Sequence, residues 1–208
     1  MAVDAFIKGC KADGIWSAIK ASCIMCGART VAGALVPLVG VAPTPYNFAS
    51  GDYDRSSGLK GNGSTKYLDS NRANNADGQD DNHNAVYVTT ANTQSVGAYI
   101  GSGTGVAGAN NIGSNITGSL LFTRLRTTAQ ESFAGQQSAT GTIGMARSLS
   151  SEYDVRFSGS TTLVTQASDG AIADNVFVFA RNDSGTAISI TDARLAFYSI
   201  GSSLDLAA

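Results

Sequence analysis

Apolar and polar positions change their rhythm near residue 40. From Val3 to Leu35 the apolar residues Phe6, Ile7, Cys10, Ile15, Trp16, Ile19, Cys23 and Met25 recur mostly at spacings of three and four. That spacing is the mark of a helix with one buried face. Asp4 suits the start of a first helix, and Asp13-Gly14 suits its end and the start of a second. The pattern therefore predicts two short helices, over residues 4–11 and 13–27. Pro37, Pro43 and Pro45 then end helical structure and carry the chain on in extended form.

Beyond residue 46 the rhythm is that of short strands between tight turns. Candidate strands cover residues 46–48, 67–68, 85–90, 97–100, 119–126, 141–147, 152–157, 161–165, 175–181 and 187–197. In the stretch 175–181, Val176 and Val178 alternate with Phe177 and Phe179, so both faces are apolar and the strand belongs centrally between layers. Gly61-Asn62-Gly63, Asp77-Gly78 and the run from Asn182 to Gly185 supply turns. The segment 71–84, NRANNADGQDDNHN, is polar and poor in strand formers and reads as a long surface loop. No repeat of fixed period is visible, which disfavours propellers and solenoids. The fold class is mainly β, a two-sheet antiparallel sandwich with short N-terminal helices. Residues 1–40 form a helical lead-in, and residues 41–208 form the sandwich.

Composition narrows the function classes. Hydrophobic residues make up 43% of the chain, but charged residues only 14%, against about 25% in ordinary domains. The net charge is -2 and the 14 basic residues are spread along the sequence, which gives no footprint for nucleic acid. The apolar run 31–41 is broken by Gly33, Pro37 and Gly40 and is too short to span a bilayer. Three cysteines, Cys10, Cys23 and Cys26, are an odd number for a disulfide framework. With no basic start or cleavage site for export, synthesis in a reducing cytoplasm is the expectation.

The chemistry-bearing residues are few. His83 is the sole histidine, its neighbours Asp80 and Asp81 come with no nucleophile motif, and an exposed or locally hydrogen-bonded ring is expected. Glu131 and Glu152 are the only glutamates, without the paired spacing a glycosidase uses. Cys23-x-x-Cys26 lacks a second pair, so core packing is the better reading. The glycine-rich run 101–108 lacks the lysine of a phosphate loop and reads as a flexible hairpin. Asp69, Asp77, Asp80 and Asp81, with Asn71, Asn74 and Asn75, miss the spacing of a calcium loop and read as solvated. No enzyme, metal or cofactor is therefore expected. A sugar-binding face is a further candidate, built from Tyr53, Tyr67, Asp69, Asn71, His83 and Tyr87, with Tyr46 nearby in sequence, while period-two placement equally suits some of these tyrosines to the core. Phe6, Ile15, Trp16 and Ile19 are the candidate assembly residues.

Two stretches carry a resemblance. FIKGCKADGIWSAIKASCIMCGARTVAGALVPLVG, followed by APTPYNF, GDYDRSSGLKGNGSTKYLDSN and HNAVYV, is the first; RLAFYSIGSSLDL is the second. Together they resemble a module of tailed-phage structural proteins, a helical lead-in joined to a concanavalin A-like (laminin G-like) β-sandwich. KADGIW and GLKGNGSTKYL carry most of the likeness, and residues 100–175 carry least. The resemblance implies a jelly-roll sandwich without catalytic residues, located on the virion. It implies a tail fibre or adhesin that meets host surface glycans, with other virion proteins as partners and a homotrimer as the assembly. A capsid decoration protein is the rival, and a polysaccharide depolymerase the third reading. Such modules usually end a longer chain, whereas here the likeness begins almost at Met1. A stand-alone virion protein or a fragment is expected accordingly.

Overall fold

The computed structural model describes residues 2–208. α1 (Ala2–Ala12) is followed by β1 (Ile19–Ile24), a single-turn α2 (Val31–Ala34), β2 (Thr44–Tyr46), β3 (Tyr53–Asp54), β4 (Gly58–Lys60), β5 (Tyr67–Ala73) and β6 (Asn82–Thr90). Then come β7 (Val96–Ser102), β8 (Ala109–Asn115), β9 (Leu120–Thr127), β10 (Glu131–Ala134), β11 (Gly141–Leu149), β12 (Glu152–Phe157) and β13 (Ser160–Val164). The chain closes with β14 (Asn175–Val178), β15 (Arg181–Asp183), β16 (Thr186–Ile188) and β17 (Arg194–Gly201).

These strands form two sheets. The first runs β13-β12-β11-β6-β17-β4-β3, with β1 also paired to β17. The second runs β10-β9-β8-β7-β14-β5-β2, and the hairpin β15–β16 joins it at β7. Among the described residues these strands pair antiparallel, except where Asn182 of β15 runs parallel to Ser102 of β7. This is the expected concanavalin A-like jelly-roll sandwich. The core lies between the sheets, where Leu59, Val86, Val88, Leu195 and Tyr198 from the first meet Leu68, Tyr99, Ile112, Leu121 and Leu125 from the second. Burying each such side chain contributes roughly 1.5–3 kcal/mol. β14 lies between β7 and β5 with Val176 and Val178 turned to the core, which accounts for its doubly apolar sequence.

The second expected helix is not formed. α1 ends where Gly14 takes φ +76, with Gly14 N–H donating to Lys11 and Ile15 N–H to Cys10, a Schellman closure. After a 3-10 turn at Trp16–Ala18 the chain becomes β1, whose Ile19, Ala21 and Cys23 point inward. A spacing of four fits period two as well as a helix, so Ile19 and Cys23 satisfy both patterns. What decides is β17: its backbone at Phe197–Gly201 needs a ladder partner, and β1 supplies it.

The expected surface loop 71–84 is also largely structured and partly buried. β5 runs on to Ala73, a 3-10 turn covers Asn74–Ala76, and β6 starts at Asn82. The reason is Arg126, which is 1% exposed and donates to the carbonyls of Asn74, Asp77 (3.0 Å) and Gly78 (2.6 Å). Asn74 itself donates to Gly108 O at 2.8 Å and accepts from Asn110 at 2.6 Å. Arg126 and Asn74 are tolerated inside because their polar atoms are matched.

Candidate functional site

The sequence-derived sugar-binding set does not come together on one surface. Tyr67, Asp69 and Asn71 share one face of β5, opposite to the core residues Leu68 and Ser70. Tyr87 and His83 belong to β6 in the other sheet, and Tyr53 to β3. His83 is 1% exposed and its partners lie 116 and 119 residues away, so the expected exposed or locally hydrogen-bonded ring is corrected to an internal, long-range one. Its Nδ1 lies 2.6 Å from Ser202 O and its Nε2 2.7 Å from Ser199 Oγ. The carbonyl can only accept, so Nδ1 carries the proton and Nε2 accepts from the serine hydroxyl. Burial pulls the ring down to about 4. His83 therefore pins the C-terminal tail, out of reach of a ligand.

Asp69 and Asn71 are engaged internally. Asp69 accepts from the Asn71 backbone at 2.7 Å and from Asn175 at 3.2 Å. Asn71 donates to Ala42 O at 2.8 Å and to Thr44 Oγ1 at 2.9 Å, which holds edge strand β2. The acids of the 69–81 stretch are likewise split: Asp77 pairs with Arg72 at 2.6 Å, Asp80 accepts from Ser168 at 2.5 Å, and Asp81 accepts from Ser203 N at 2.7 Å. Tyr53 donates to Ala28 O at 3.0 Å and borders an open depression of about 430 Å³ beside Arg29, Phe48 and Arg55. Tyr87 stands 43% exposed on β6.

The assembly residues are similarly divided. Ile19 is 4% exposed inside β1 and presents no surface for another chain. Phe6 meets Phe197 edge-on at 5.5 Å, which seats α1 on the first sheet. Trp16 lies under the Lys11 ammonium at 5.6 Å, and Ile15 is half-buried beside it.

The outer face of the second sheet is where unassigned chemistry collects. Tyr46, 39% exposed, stacks on Tyr67 with centroids 4.4 Å apart and planes at 7°, and Tyr67 in turn packs on Phe177 at 4.9 Å. Further along the same sheet lies a cavity of about 170 Å³. Its floor is Ala98 of β7, Asn111 and Asn115 of β8 and Phe122 of β9; Arg181 and Ser189 of the β15–β16 hairpin region form a wall. The hairpin is held there by Ala98 N donating to Ser189 O at 2.7 Å and Gly103 N donating to Asn182 O at 2.6 Å. Arg124 stands next to the cavity, across from Asn111 in the β8–β9 register and on the same face as Phe122.

Sequence reasoning did not single out Asn111, Phe122, Arg124 or Arg181. Burial lowers the pKa of both arginines, and for Arg181 the neighbouring charge of Arg124 lowers it further. Two cations are thus held side by side in a half-buried setting.

No protein-family model matches the chain, and no curated protein matches its sequence. Several solved structures share its fold. A mutant NanB sialidase from Streptococcus pneumoniae superposes with a TM-score of 0.53 at 13% identity, over 71% of this chain and 26% of that one. The CBM40 of the Ruminococcus gnavus IT-sialidase gives 0.47 at 10% identity, over 61% and 79%. Mouse laminin alpha1 domains LG4-5 give 0.41 at 13% identity, over 61% and 37%. The chain spans about a quarter of the length of the NanB chains it matches. Fold and site together define a concanavalin A-like β-sandwich with a polar cavity on the outer face of one sheet.

Proposed function

We propose that this chain is a non-catalytic glycan-binding module of a bacteriophage virion, a tail fibre or adhesin-type part that meets host surface sugars. The observation that carries the binding reading is the outer face of the second sheet, where an exposed tyrosine stack and a cavity lined by amides and an arginine share one surface. Sugars present an apolar ring face and a rim of hydroxyls, which such a surface matches with aromatic area and directed polar groups. Binding is favoured over catalysis because the cavity lining contains no carboxylate and no histidine to act as acid or base. The sialidase likeness supports the sandwich alone. The virion setting rests on the resemblance carried by KADGIW and GLKGNGSTKYL, and trimerisation belongs to that reading.

The test is a glycan array probed with the purified chain at physiological salt, followed by titration of the hits. Tyr46→Ala is expected to weaken binding about fivefold to tenfold, the worth of one stacked aromatic contact. Absence of binding to every host-derived glycan refutes the module reading. Release of reducing ends from host polysaccharide would replace binding by hydrolysis. Gold-labelled antibody on intact particles tests the setting: label on tails supports it, and label over the head makes the chain a decoration protein.

A further inference from the structure

We infer that the cavity between β7, β8, β9 and the β15–β16 hairpin takes a carboxylate-bearing sugar, with Arg181 of its wall, backed by the adjoining Arg124, meeting the carboxylate and Asn111 reading a neighbouring polar group. This deepens the glycan-binding reading above and rests on it.

The two fully buried arginines of this fold are completely satisfied. Arg147, with 0% exposure, donates to Leu125 O at 3.0 Å, Leu149 O at 3.0 Å and Gln166 O at 3.0 Å. Arg126 is served as fully by the carbonyls of Asn74, Asp77 and Gly78. These two are structural staples, each with all its nitrogens engaged. Arg124 and Arg181 are different. Nε and Nη1 of Arg124 and Nε of Arg181 are shielded from solvent without any partner. Among the described residues, ion pairs join Lys8 to Asp4, Lys66 to Asp52 and Arg72 to Asp77, and neither Arg181 of the cavity wall nor the adjoining Arg124 takes part in one.

Asn111 points the same way from a separate observation. It is 0% exposed, lines the cavity, and has both its amide nitrogen and its amide oxygen unmatched. A buried primary amide with neither end satisfied is unfavourable in a folded protein, and so is a pair of unpaired guanidinium groups. The same low-dielectric setting makes a hydrogen-bonding anion bind strongly once it arrives. Guanidinium groups match carboxylates in shape and charge better than any other side chain.

The remaining chemistry selects a sugar acid over a bare anion. A volume of about 170 Å³ is small against the several hundred Å³ of pockets that take drug-sized ligands, so it suits one monosaccharide unit. Phe122 and Ala98 give that unit an apolar surface, and Asn115 and Ser189 give it polar groups at the rim. The loop at Gly105 comes close to Arg124, since a side-chain carbon there would lie 3.7 Å from Nη1.

The test compares glycosides that differ only in the acid: methyl β-glucuronide against methyl β-glucoside, and sialyllactose against lactose, titrated by ligand-observed NMR. Sodium acetate at equal concentration reports the bare carboxylate. At least one acidic member is expected to bind tenfold or more tightly than its neutral partner and than acetate. Arg181→Gln and Arg124→Gln should each reduce that preference tenfold. Because both arginines lack partners, Arg124→Met should keep or raise the melting temperature while abolishing the preference, which a structural arginine would not do. Equal affinity for acidic and neutral members, or a preference that survives both glutamine variants, overturns the inference and leaves the glycan-binding reading standing. Acetate binding as tightly as the sugars reduces the site to a simple anion pocket and also overturns it. No binding of any member removes the inference and the reading together.

Discussion

Lowering the pH from 7.5 to 5.0 should destabilise this protein by about 2 kcal/mol through one side chain. His83 is the sole histidine in the chain, so no second imidazole confuses the measurement. Its ring is held neutral between Ser202 O and Ser199 Oγ, and burial pulls it down to about 4 from an ordinary 6.5. A base with a lowered folded pKa binds fewer protons folded than unfolded between those two values. Stability is therefore full above pH 6.5 and falls as the pH drops toward 4. At pH 5.0 the unfolded ring is almost fully protonated while about a tenth of the folded rings are; the corresponding free-energy difference is about 2 kcal/mol, with about 1 kcal/mol more lost by pH 4. The carboxylates Asp52 and Asp192 are held below their ordinary values by their donors, so their losses begin further down in pH. Urea unfolding at pH 7.5, 6.0 and 5.0 reads the slope by linear extrapolation. His83→Gln should start less stable and show almost no slope over this window. An unchanged slope in His83→Gln, or a flat profile in the wild type, would refute the assignment of His83 as a neutral internal pin.

Three further perturbations probe the fold. Arg126→Met should lose about 3 kcal/mol or more, because three backbone carbonyls lose their donor, and limited proteolysis should then cut between residues 74 and 81. Gly58→Ala should cost about 2 kcal/mol or more by thermal melting, since φ is +100 and a methyl group there would come within 2.2 Å of Leu195 O. A chromogenic disulfide reagent at pH 8 should find one reactive thiol in the native protein, at half-buried Cys26; Cys10 and Cys23 should react only on unfolding, burial holding Cys23 up at about 11.

The sandwich was legible in the sequence wherever a strand alternates or is apolar on both faces. β12 and β14 begin where their patterns place them, and β11 starts at Gly141 as expected. Legibility failed where one pattern serves two structures. Ile19 and Cys23 fit both a helix and a strand, and only the unpaired edge of β17 separates them. It failed again where polar residues are internal. Asn74, Asn82, His83 and Asn84 are each 2% exposed or less, yet their composition is that of a loop. Their partners, such as Arg126, Asn110, Ser199 and Ser202, lie between 36 and 119 residues away. β8 was hidden for the same reason: its sequence ANNIGSN has one large apolar residue, Ile112, and its buried Asn110 is matched by Asn74 and by the Arg126 backbone.

The candidate site shows why basic residues dispersed in sequence need not be dispersed in space. Arg124 and Arg181 are far apart along the chain, but β9 and the β15–β16 hairpin bring them close enough for the charge of one to act on the other, with Arg181 lining the cavity and Arg124 adjoining it. Arg124 and Arg126 are two residues apart and by simple alternation would share a face. They do not share a role, because the β8–β9 register slips between Ala109 and Asn110 and Arg126 takes φ +58. A bulge of this kind adds one residue and re-aims the side chains around it. It sends Arg126 down among the carbonyls of residues 74–78 and leaves Arg124 on the outer face beside Asn111. One irregularity in β9 thus separates a structural arginine from one whose Nε and Nη1 have no protein partner. No count of charges could have drawn that distinction, because it is made by the backbone.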